Sequence, residues 1–500
     1  MITAGIDMGT QSIKVMLYDS EKKESLQTAQ EPLDLIAEND GTREQKTQWY
    51  DVCLQKCFAS LDSKLKMQIA AIGVSGHQHG FVPLDKNCNA VYNVKLWNDT
   101  STTKECKIIT DAAGGDDAVI DEVSNLMLSG FTAPKILWLK RNKPDAFSKL
   151  HYVMLPHNYL NFLLTGAYNA EAGDASGTAF FNSKTGTWSK KICNIIDEKL
   201  FSLLPEIIPC SEPNGFVHAV AAKKFGIPEG AVVSSGGGDN MMGAVGTGCV
   251  SDGFLTMSLG TSGTLFGYSQ MPLCDPKNGI SGFAASVTSG GKQGYLPLLC
   301  TMNCTVASEE TRALFNCSTA ELNCLAEKSP PGSCGVVYLP FFNGERTPNL
   351  PHGKASIMGL TAANCSRENI ARAAFESAIF AMRGGAEAFA ANGFKGRQIR
   401  IIGGGSKSKL WRQIAADIMN MPVKQPLISE SAALGGALQA LWCMEIKNGN
   451  TAATIESICA EHVKISKDDD VLPNAKNVDI YNESYNLYNT YLNALKDIYK

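Results

Sequence analysis

The chain has 500 residues, a formal net charge of -4, an apolar fraction of 44% and 46 glycines. This length exceeds what one hydrophobic core usually serves, so we expect two domains of α/β type. The charge balance argues against a nucleic-acid or membrane partner, because both need a basic surface. The sixteen cysteines are scattered singly, and no apolar stretch matches a bilayer span, so the sequence predicts a reduced, cytoplasmic protein.

The first predicted unit is a hairpin followed by a helix and a strand. ITAGIDMGTQSIKVMLYD, residues 2–19, places two apolar runs around a Gly-Thr turn, which is typical of a β-hairpin. A helix is predicted from Trp49 to Leu65 and a buried strand in IAAIGVSG, residues 69–76. Further strand and helix pairs are predicted in LHYVMLPHNYLNFLLTG, residues 150–166, and AVVSSGGGDNMMGAVGTG, residues 231–248.

The same order of parts begins again in FLTMSLGTSGTLFGYS, residues 254–269. A long helix over 367–391, a strand, turn and helix over 398–419, and a helix over 432–442 follow. The repetition predicts a structural duplication, with domains at 1–250 and 251–445 and a boundary near 251–253. The polar tail, 446–500, includes the acidic run Asp468 to Asp470 and ends in a Tyr/Leu-patterned helix that we expect to pack on the surface.

The two Gly-Thr turns are the first candidate binding residues. A hairpin tip with Gly, backbone N–H groups and hydroxyls can wrap phosphate oxygens, and Asp7 at its strand end can reach a hydrated Mg²⁺. For either turn alone, a plain β-turn is the favoured interpretation. Their repetition in paired domains favours two tips that face each other across a cleft and hold one nucleotide. The chain has neither a P-loop nor a Rossmann glycine motif.

The segment GGGDN places Asp239 on a Gly-rich turn at or near a helix start. One interpretation is an N-cap, which stabilises a helix by about 1 kcal/mol. Another is a carboxylate that takes the proton of a substrate hydroxyl as its oxygen attacks phosphorus. Both roles are compatible.

Three further segments offer groups suited to a polyol or a nucleoside. GHQHG, residues 76–80, follows a strand and can present imidazole and amide groups to sugar hydroxyls; a metal site lacks a third ligand. LWND, residues 96–99, sets an aromatic ring beside an amide and a carboxylate, with a buried Trp as the alternative. GGGSKSKLW, residues 403–411, allows a flat ring to approach the backbone, although a structural turn explains it equally well.

Together these segments resemble the FGGY carbohydrate kinases from Ile2 to about Trp442. The resemblance rests on motifs in one order along the chain: GIDMGTQSIK (5–14), GHQHG (76–80), LWND (96–99), GFTAPKILW (130–138), GDASGT (173–178), GGGDNMMGAVG (236–246), SLGTSG (258–263), FNGERTP (342–348) and GGGSKSKLWRQIAADI (403–418).

The resemblance implies two ribonuclease-H-like domains of the actin-like ATPase superfamily that flank a catalytic cleft and close around a sugar and MgATP. It implies transfer of the γ-phosphoryl group to the terminal hydroxyl of a ketopentose, D-xylulose giving D-xylulose 5-phosphate. Asp239 is then the general base and Asp7 the Mg²⁺ partner. The implied sugar contacts are Gln78, His79, Trp97, Asp239 and Asn240; the implied ATP contacts are Thr10, Gln11, Ser12, Lys14, Gly260, Thr261, Gly404, Gly405 and Ser408.

The chain departs from the family pattern at three places. His77 stands where Gln is usual, His157 and Asn158 where Lys and Asp are usual, and Ser406 where Ala is usual. The first two departures bear on the preferred ketose more than on the reaction. Two alternatives stay open: an FGGY kinase for ribulose, gluconate or a deoxy-ketose, and an actin-like ATP-dependent switch without phosphotransfer, which has little use for GHQHG. The sequence is also compatible with a homodimer.

Overall fold

The computed structural model describes residues 1–466 and 470–499. Asp468 and Asp469 of the predicted acidic run lie outside these described residues. Within the described ranges, no helix is both long and apolar enough to cross a membrane.

The first half of the chain forms sixteen strands and eleven helices, with short 3₁₀ segments at Ser176–Thr178 and Leu200–Leu203. The strands are β1 Ile2–Met8, β2 Ser12–Asp19, β3 Glu24–Pro32, β4 Ile36–Ala37, β5 Arg43–Gln45, β6 Ile69–Gly76, β7 Val82–Leu84, β8 Val94–Lys95, β9 Tyr152–Met154, β10 Asn169–Ala170, β11 Phe181–Asn182, β12 Thr187–Trp188, β13 Glu206–Ile207, β14 Pro213–Phe216, β15 Val232–Ser234 and β16 Gly237–Gly238. The helices are α1 Thr47–Ser60, α2 Ser63–Lys66, α3 Thr103–Ala113, α4 Asp116–Val123, α5 Thr132–Asn142, α6 Pro144–Phe147, α7 Pro156–Thr165, α8 Ala172–Ala175, α9 Lys190–Ile196, α10 Ala219–Phe225 and α11 Asp239–Thr247.

The second half has longer helices and a second sheet, with 3₁₀ segments at Pro276–Asn278, Ser333–Gly335 and Gly404–Lys407. Its strands are β17 Phe254–Leu259, β18 Gly263–Gly267, β19 Ser281–Ser289, β20 Lys292–Thr301, β21 Val337–Leu339, β22 Ser356–Met358, β23 Gln398–Ile402 and β24 Val423–Lys424. Its helices are α12 Val306–Leu314, α13 Thr319–Lys328, α14 Arg367–Ala391, α15 Lys409–Met419, α16 Ser431–Lys447, α17 Ile455–His462 and α18 Ala475–Leu495.

The first sheet has the order β14-β15-β6-β1-β2-β3, and β16 also pairs with β6. Strand β1 runs antiparallel to β2 and parallel to β6, so the predicted hairpin is the centre of the sheet. The pair Met8 and Ile13 closes the ladder, and the Gly9 N–H donates to the Ser12 carbonyl at 3.0 Å across the turn. The apolar residues on both sides of this hairpin are buried, which explains why so short a turn can hold it.

The second sheet repeats this arrangement in the order β19-β20-β18-β17-β23-β24. Strand β17 is antiparallel to β18 and parallel to β23, as β1 is to β2 and β6. The predicted duplication of two ribonuclease-H-like units is therefore confirmed. It places the two Gly-Thr turns at equivalent positions, one in each sheet.

The two halves meet through α16, which follows the second sheet in the chain yet packs on β1, β6 and α11. The contact is backbone to backbone at glycines. A Cβ built on Gly5 would lie 1.8 Å from the Ala433 carbonyl oxygen, and one on Gly73 would lie 1.9 Å from that of Gly436. Larger residues at these glycines would push α16 away from the first sheet.

One predicted helix boundary is wrong. The helix expected from Trp49 to Leu65 ends at Ser60, and a separate short helix begins at Ser63. The Asp62 side chain accepts hydrogen bonds from the Lys64 and Leu65 N–H groups, so it caps a new helix instead of continuing the first.

The C-terminal helix α18 buries Tyr481, Tyr485 and Tyr488 against Phe380 of α14.

Candidate active site

The candidate site lies where strands of the first sheet end. Asp7 pairs in register with Ser75 of β6, and Gly237 of β16 pairs with the same Ser75. Because β1, β6 and β16 are mutually parallel, the residues that follow them emerge at one edge of the sheet. The first turn, GHQHG and Asp239 are therefore brought together, as the sequence predicted only in part.

Asp239 is the first residue of α11, while Gly238 occupies the N-cap position. The interpretation of Asp239 as an N-cap is therefore wrong, although its place at a helix start is confirmed. Its Oδ1 accepts hydrogen bonds from the Asn240 backbone N–H at 2.8 Å and from Asn240 Nδ2 at 3.0 Å. Burial, and after it the charge of Asp7, raises the pKa of Asp239 to about 7 in spite of those donors. A carboxyl with this pKa suits proton transfer at neutral pH.

Asp7 lies near the end of β1 and accepts a 2.9 Å hydrogen bond from Ser75 Oγ. Burial raises its pKa, while Ser75 and the charge of Lys14 act in the opposite direction. The charge of Asp7 acts on Asp239, and two neighbouring carboxylates are a donor set that favours a divalent cation. In the described part of the chain, no three His, Cys, Asp or Glu side chains group into a metal cage.

Gln78 is linked to the Asp239 loop. Its Oε1 accepts a 2.8 Å hydrogen bond from Asn240 Nδ2, and its side chain is 4% exposed. Gln78 Nε2 is buried with no hydrogen-bond partner. An unpaired buried donor costs free energy, on the order of 1–3 kcal/mol, which a bound hydroxyl would recover.

His79 is held in an unusual backbone conformation, with φ of 66°. Its Nδ1 is 2.8 Å from the Gly177 carbonyl oxygen, and because a carbonyl only accepts, Nδ1 carries the proton. Burial, and after it the charge of Lys135, lowers the pKa of His79 well below its usual value. The ring is therefore neutral, and its Nε2 is a hydrogen-bond acceptor.

Lys135 holds the His79 loop through hydrogen bonds to its backbone. No role was assigned to it from the sequence, although it lies in the GFTAPKILW motif. It is fully buried, and its Nζ donates to the carbonyls of His79 at 2.7 Å and Gly130 at 2.6 Å. Burial lowers its pKa well below the usual value. The signal in the sequence was a Lys within the apolar run from Ala133 to Leu139.

His77, the first departure from the family pattern, points into the core. It is 0% exposed, and its Nε2 lies 3.5 Å from Tyr50 Oη. Burial lowers its pKa to about 3. It therefore supports the loop as a neutral core residue.

His157 and Asn158, the second departure, also lie under the site. His157 Nδ1 donates to Asp174 Oδ2 at 2.6 Å, and Asn158 Nδ2 donates to His157 Nε2 at 2.9 Å. All three side chains are buried, and burial raises the pKa of Asp174 in spite of His157. The charge of Asp174 also contributes to the raised pKa of Asp239.

LWND joins the first turn through Trp97, whose Nε1 donates to Thr10 Oγ1 at 2.9 Å. The carboxylate of Asp99 is occupied by the protein itself, because it accepts from Lys95 Nζ at 3.0 Å and from the Arg43 N–H at 2.8 Å. Only the Trp and the amide of this motif remain for a ligand.

The remaining candidate residues of the first hairpin, Gln11, Ser12 and Lys14, have different surroundings. Gln11 is exposed at the tip, and Ser12 Oγ accepts a 3.0 Å hydrogen bond from Gln30 Nε2. Lys14 forms an ion pair with Glu430, the residue before α16. Glu430 was not singled out from the sequence, since the pairing joins residues 416 positions apart.

The second turn is anchored by the loop after β20. The carbonyls of Gly260 and Thr261 accept from the N–H groups of Thr305 and Cys304, each at 3.0 Å. Thr261 is exposed at the tip. The turn is thus fixed at its base and open at its apex.

The third Gly-rich turn combines an open and a closed glycine. Gly403 has φ of +88°. A Cβ built on Gly404 would meet nothing within 4 Å, whereas one on Gly405 would lie 2.8 Å from Leu259 Cβ. Ser408 caps α15 through the Trp411 N–H and donates to Asn323 Oδ1 at 2.5 Å. Ser406, the third departure, donates its hydroxyl to the Gly403 carbonyl at 2.7 Å.

Comparisons with known proteins show the family of this chain. The model of the FGGY family of carbohydrate kinases, N-terminal domain, matches residues 2–246, and the C-terminal domain model matches residues 255–444. The chain belongs to the FGGY family of carbohydrate kinases. This FGGY kinase is 40% identical to the xylulose kinase of Haemophilus influenzae over 98% of this chain and 99% of that one.

Two further matches extend over the full length of this FGGY kinase. The xylulose kinase of Bacillus subtilis is 31% identical and covers 99% of this chain and 97% of its own. The solved structure of a kinase from Brucella ovis, described as a xyloylose kinase, superposes with a TM-score of 0.91 at 27% identity and covers all of both chains. The two-domain actin-like fold expected from the sequence is therefore confirmed.

Proposed function

We propose that this FGGY kinase transfers the γ-phosphoryl group of ATP to the terminal hydroxyl of D-xylulose and gives D-xylulose 5-phosphate. The full-length similarity to the xylulose kinase of Haemophilus influenzae supports the substrate. The observation that carries the chemistry is Asp239, a carboxyl with a pKa raised to about 7 at the start of α11.

In the proposed reaction Asp239 is the general base. Asn240 occupies its Oδ1, which leaves the second carboxylate oxygen to take the hydroxyl proton. The hydroxyl oxygen forms a bond to the γ-phosphorus, and the bond from that phosphorus to the bridging oxygen of ADP breaks. Much of the rate arises from positioning and charge stabilisation, because the transition state of phosphoryl transfer is loose.

The sugar contacts in this proposal are Gln78, His79, Trp97 and Asn240. Gln78 Nε2 supplies an unpaired donor and His79 Nε2 an acceptor, and alternating donors and acceptors suit a chain of hydroxyls. The Trp97 ring offers an apolar face for the carbon backbone.

The nucleotide contacts in this proposal come from the three Gly-rich turns. Thr10, Gln11, Ser12 and Lys14 hold phosphates from one side, and Gly260 and Thr261 hold them from the other. The space beside Gly404 would hold the flat adenine ring of the nucleotide, with Gly405 and Ser408 behind it. Asp7 would hold Mg²⁺, which when bound neutralises charge on the β- and γ-phosphates.

A cytoplasmic location also belongs to this proposal. All sixteen cysteines fall in the described part of the chain and are free thiols, as expected in a reducing compartment.

A coupled ADP-release assay tests the substrate. The purified full chain is supplied with MgATP and, separately, D-xylulose, D-ribulose, gluconate and a deoxy-ketose, with the sugar omitted as control. We expect the highest kcat/KM with D-xylulose. A higher kcat/KM for another sugar would make that sugar the substrate and would still support the kinase reaction. ADP release no faster than in the control with every sugar would favour an ATP-dependent switch.

A further inference from the structure

Gln439 is a buried amide in the middle of α16, and no part of the proposed chemistry uses it directly. Its side chain is 0% exposed. Helix α16 packs against α11, which begins at Asp239, and against β1 and β6. A side-chain amide carries two donor hydrogens and two acceptor lone pairs, and leaving them unpaired in a core is costly.

Gln439 pairs all four of these positions. Its Oε1 accepts from Ser234 Oγ at 2.8 Å and from the Gly236 N–H at 2.9 Å. Its Nε2 donates to the carbonyls of Gly236 at 3.1 Å and Ser286 at 3.0 Å. The orientation of the amide is fixed, because the reverse orientation would set Nε2 against an N–H and Oε1 against two carbonyls.

The main partner, Gly236, forms the turn that leads to the base. It lies between β15 and β16, has φ of +71°, and is three residues before Asp239. A Cβ built on it would lie 2.5 Å from the Val74 carbonyl oxygen and 3.2 Å from His157 Cδ2. Gln439 therefore satisfies both backbone polar groups of Gly236 where the strand ladder is interrupted.

The support behind Gln439 is rigid. One helical turn earlier, a Cβ built on Gly435 would lie 1.8 Å from the Met242 carbonyl oxygen of α11. Residues four apart share a helix face, so this backbone contact fixes how deeply Gln439 reaches. Its bond to Ser286 extends the connection to β19 of the second sheet.

We propose that Gln439 is a positioning residue for phosphoryl transfer, because it holds the Gly236 turn, and with it the Asp239 carboxylate, against α16 and the second sheet. This inference rests on the proposed role of Asp239 as the base. Gln439 touches neither substrate, so it acts on the geometry of the reacting atoms and leaves substrate binding unaltered.

The test compares Gln439→Leu, Gln439→Glu and the control Ser234→Ala in the full chain. Leu has a similar volume and removes all four hydrogen bonds, so we expect kcat to fall about 100-fold, with the KM of ATP and sugar changed less than about twofold. A protonated Glu keeps one donor and one acceptor for Gly236, so its kcat should lie between those of the parent and the Leu variant. Ser234→Ala leaves the Gly236 pair intact and should keep kcat within about threefold of the parent.

A Gln439→Leu enzyme with kcat within about threefold of the parent would overturn the inference, and so would one whose only defect is a lower melting temperature. If Gln439→Leu does not fold, Gln439→Glu decides: a lower kcat with unchanged KM supports positioning, and a parental kcat refutes it. Asp239→Asn is assayed in parallel. Near-parental turnover in Asp239→Asn refutes the base itself, whereas a strongly impaired Asp239→Asn beside a fully active Gln439→Leu refutes the positioning role alone.

Discussion

Asn240 joins Gln78 through a 2.8 Å hydrogen bond from its side-chain amide to Gln78 Oε1. The same Asn240 nitrogen lies 3.0 Å from Asp239 Oδ1. One amide thus ties the loop after β6 to the carboxylate at the start of α11. Because Gln78 Oε1 faces Asn240, Gln78 Nε2 points the other way, where this donor has no protein partner among the described residues.

The first prediction concerns this donor. Gln78→Leu keeps the side-chain volume but removes the proposed hydrogen bond to the sugar and the acceptor that Gln78 Oε1 offers to Asn240. We expect kcat/KM for the sugar to fall by roughly 10- to 100-fold, which corresponds to about 1.4–2.7 kcal/mol. The KM of ATP, measured at saturating sugar, is the internal control. A change confined to the KM of ATP would show that Gln78 does not face the sugar.

The second prediction concerns the base. Asp239→Asn should lower kcat by about 10²- to 10⁴-fold, because it removes proton transfer in the transition state. ATP affinity, measured by calorimetry without sugar, should stay nearly unchanged. Asp7→Asn serves as the contrast, since it should raise the Mg²⁺ concentration that gives half-maximal activity. Near-parental turnover by Asp239→Asn would exclude Asp239 as the base.

The third prediction follows from the sign of the pKa shift. In the unfolded chain an Asp titrates near 4, whereas in the fold burial and Asp7 raise the pKa of Asp239 to about 7. The folded protein therefore loses stability as the pH rises from about 4 through 7, and above 7 it carries the full cost of the buried charge.

Asn cannot ionise, so Asp239→Asn should be more stable than the parent at pH 8, on the order of 4 kcal/mol, and about equal at pH 4. Urea unfolding at both pH values measures the difference. A mutant no more stable at pH 8 than the parent would contradict the raised pKa. Asp7→Asn should lower the pKa of Asp239, and NMR of ¹³C-labelled aspartate reports it directly.

The fourth prediction distinguishes Gly404 from Gly405 in the third Gly-rich turn. Gly404→Val meets open space, so it should leave the melting temperature unchanged and raise the KM of ATP at least about tenfold by filling the proposed nucleoside site. Gly405→Val places its Cβ against Leu259 and Trp411, so it should lower the melting temperature through overpacking. Equal effects of the two substitutions on ATP binding and stability would refute the assignment of this turn.

Much of the site followed from local sequence. The two Gly-Thr hairpins, the turn before Asp239 and the strand that precedes GHQHG depend on apolar alternation and on residues within a few positions of each other. The predicted end of α1 was wrong because it was read from apolar spacing alone. That spacing does not reveal that Asp62 caps a new helix. The sequence suggested that Asp99 contacts a sugar, but its carboxylate is hydrogen-bonded to Lys95 and to the Arg43 backbone within the protein.

The sequence by itself determined the duplicated hairpins, the family and the identity of the candidate base, since each is recognised from short motifs whose own residues are adjacent in the chain. The tertiary structure decided which side chains support that base. Gln439 meets Gly236 across 203 positions, and Lys14 meets Glu430 across 416. Such pairs form only when the glycine faces of α16 and the first sheet allow their backbones to touch, and no local pattern encodes that distance.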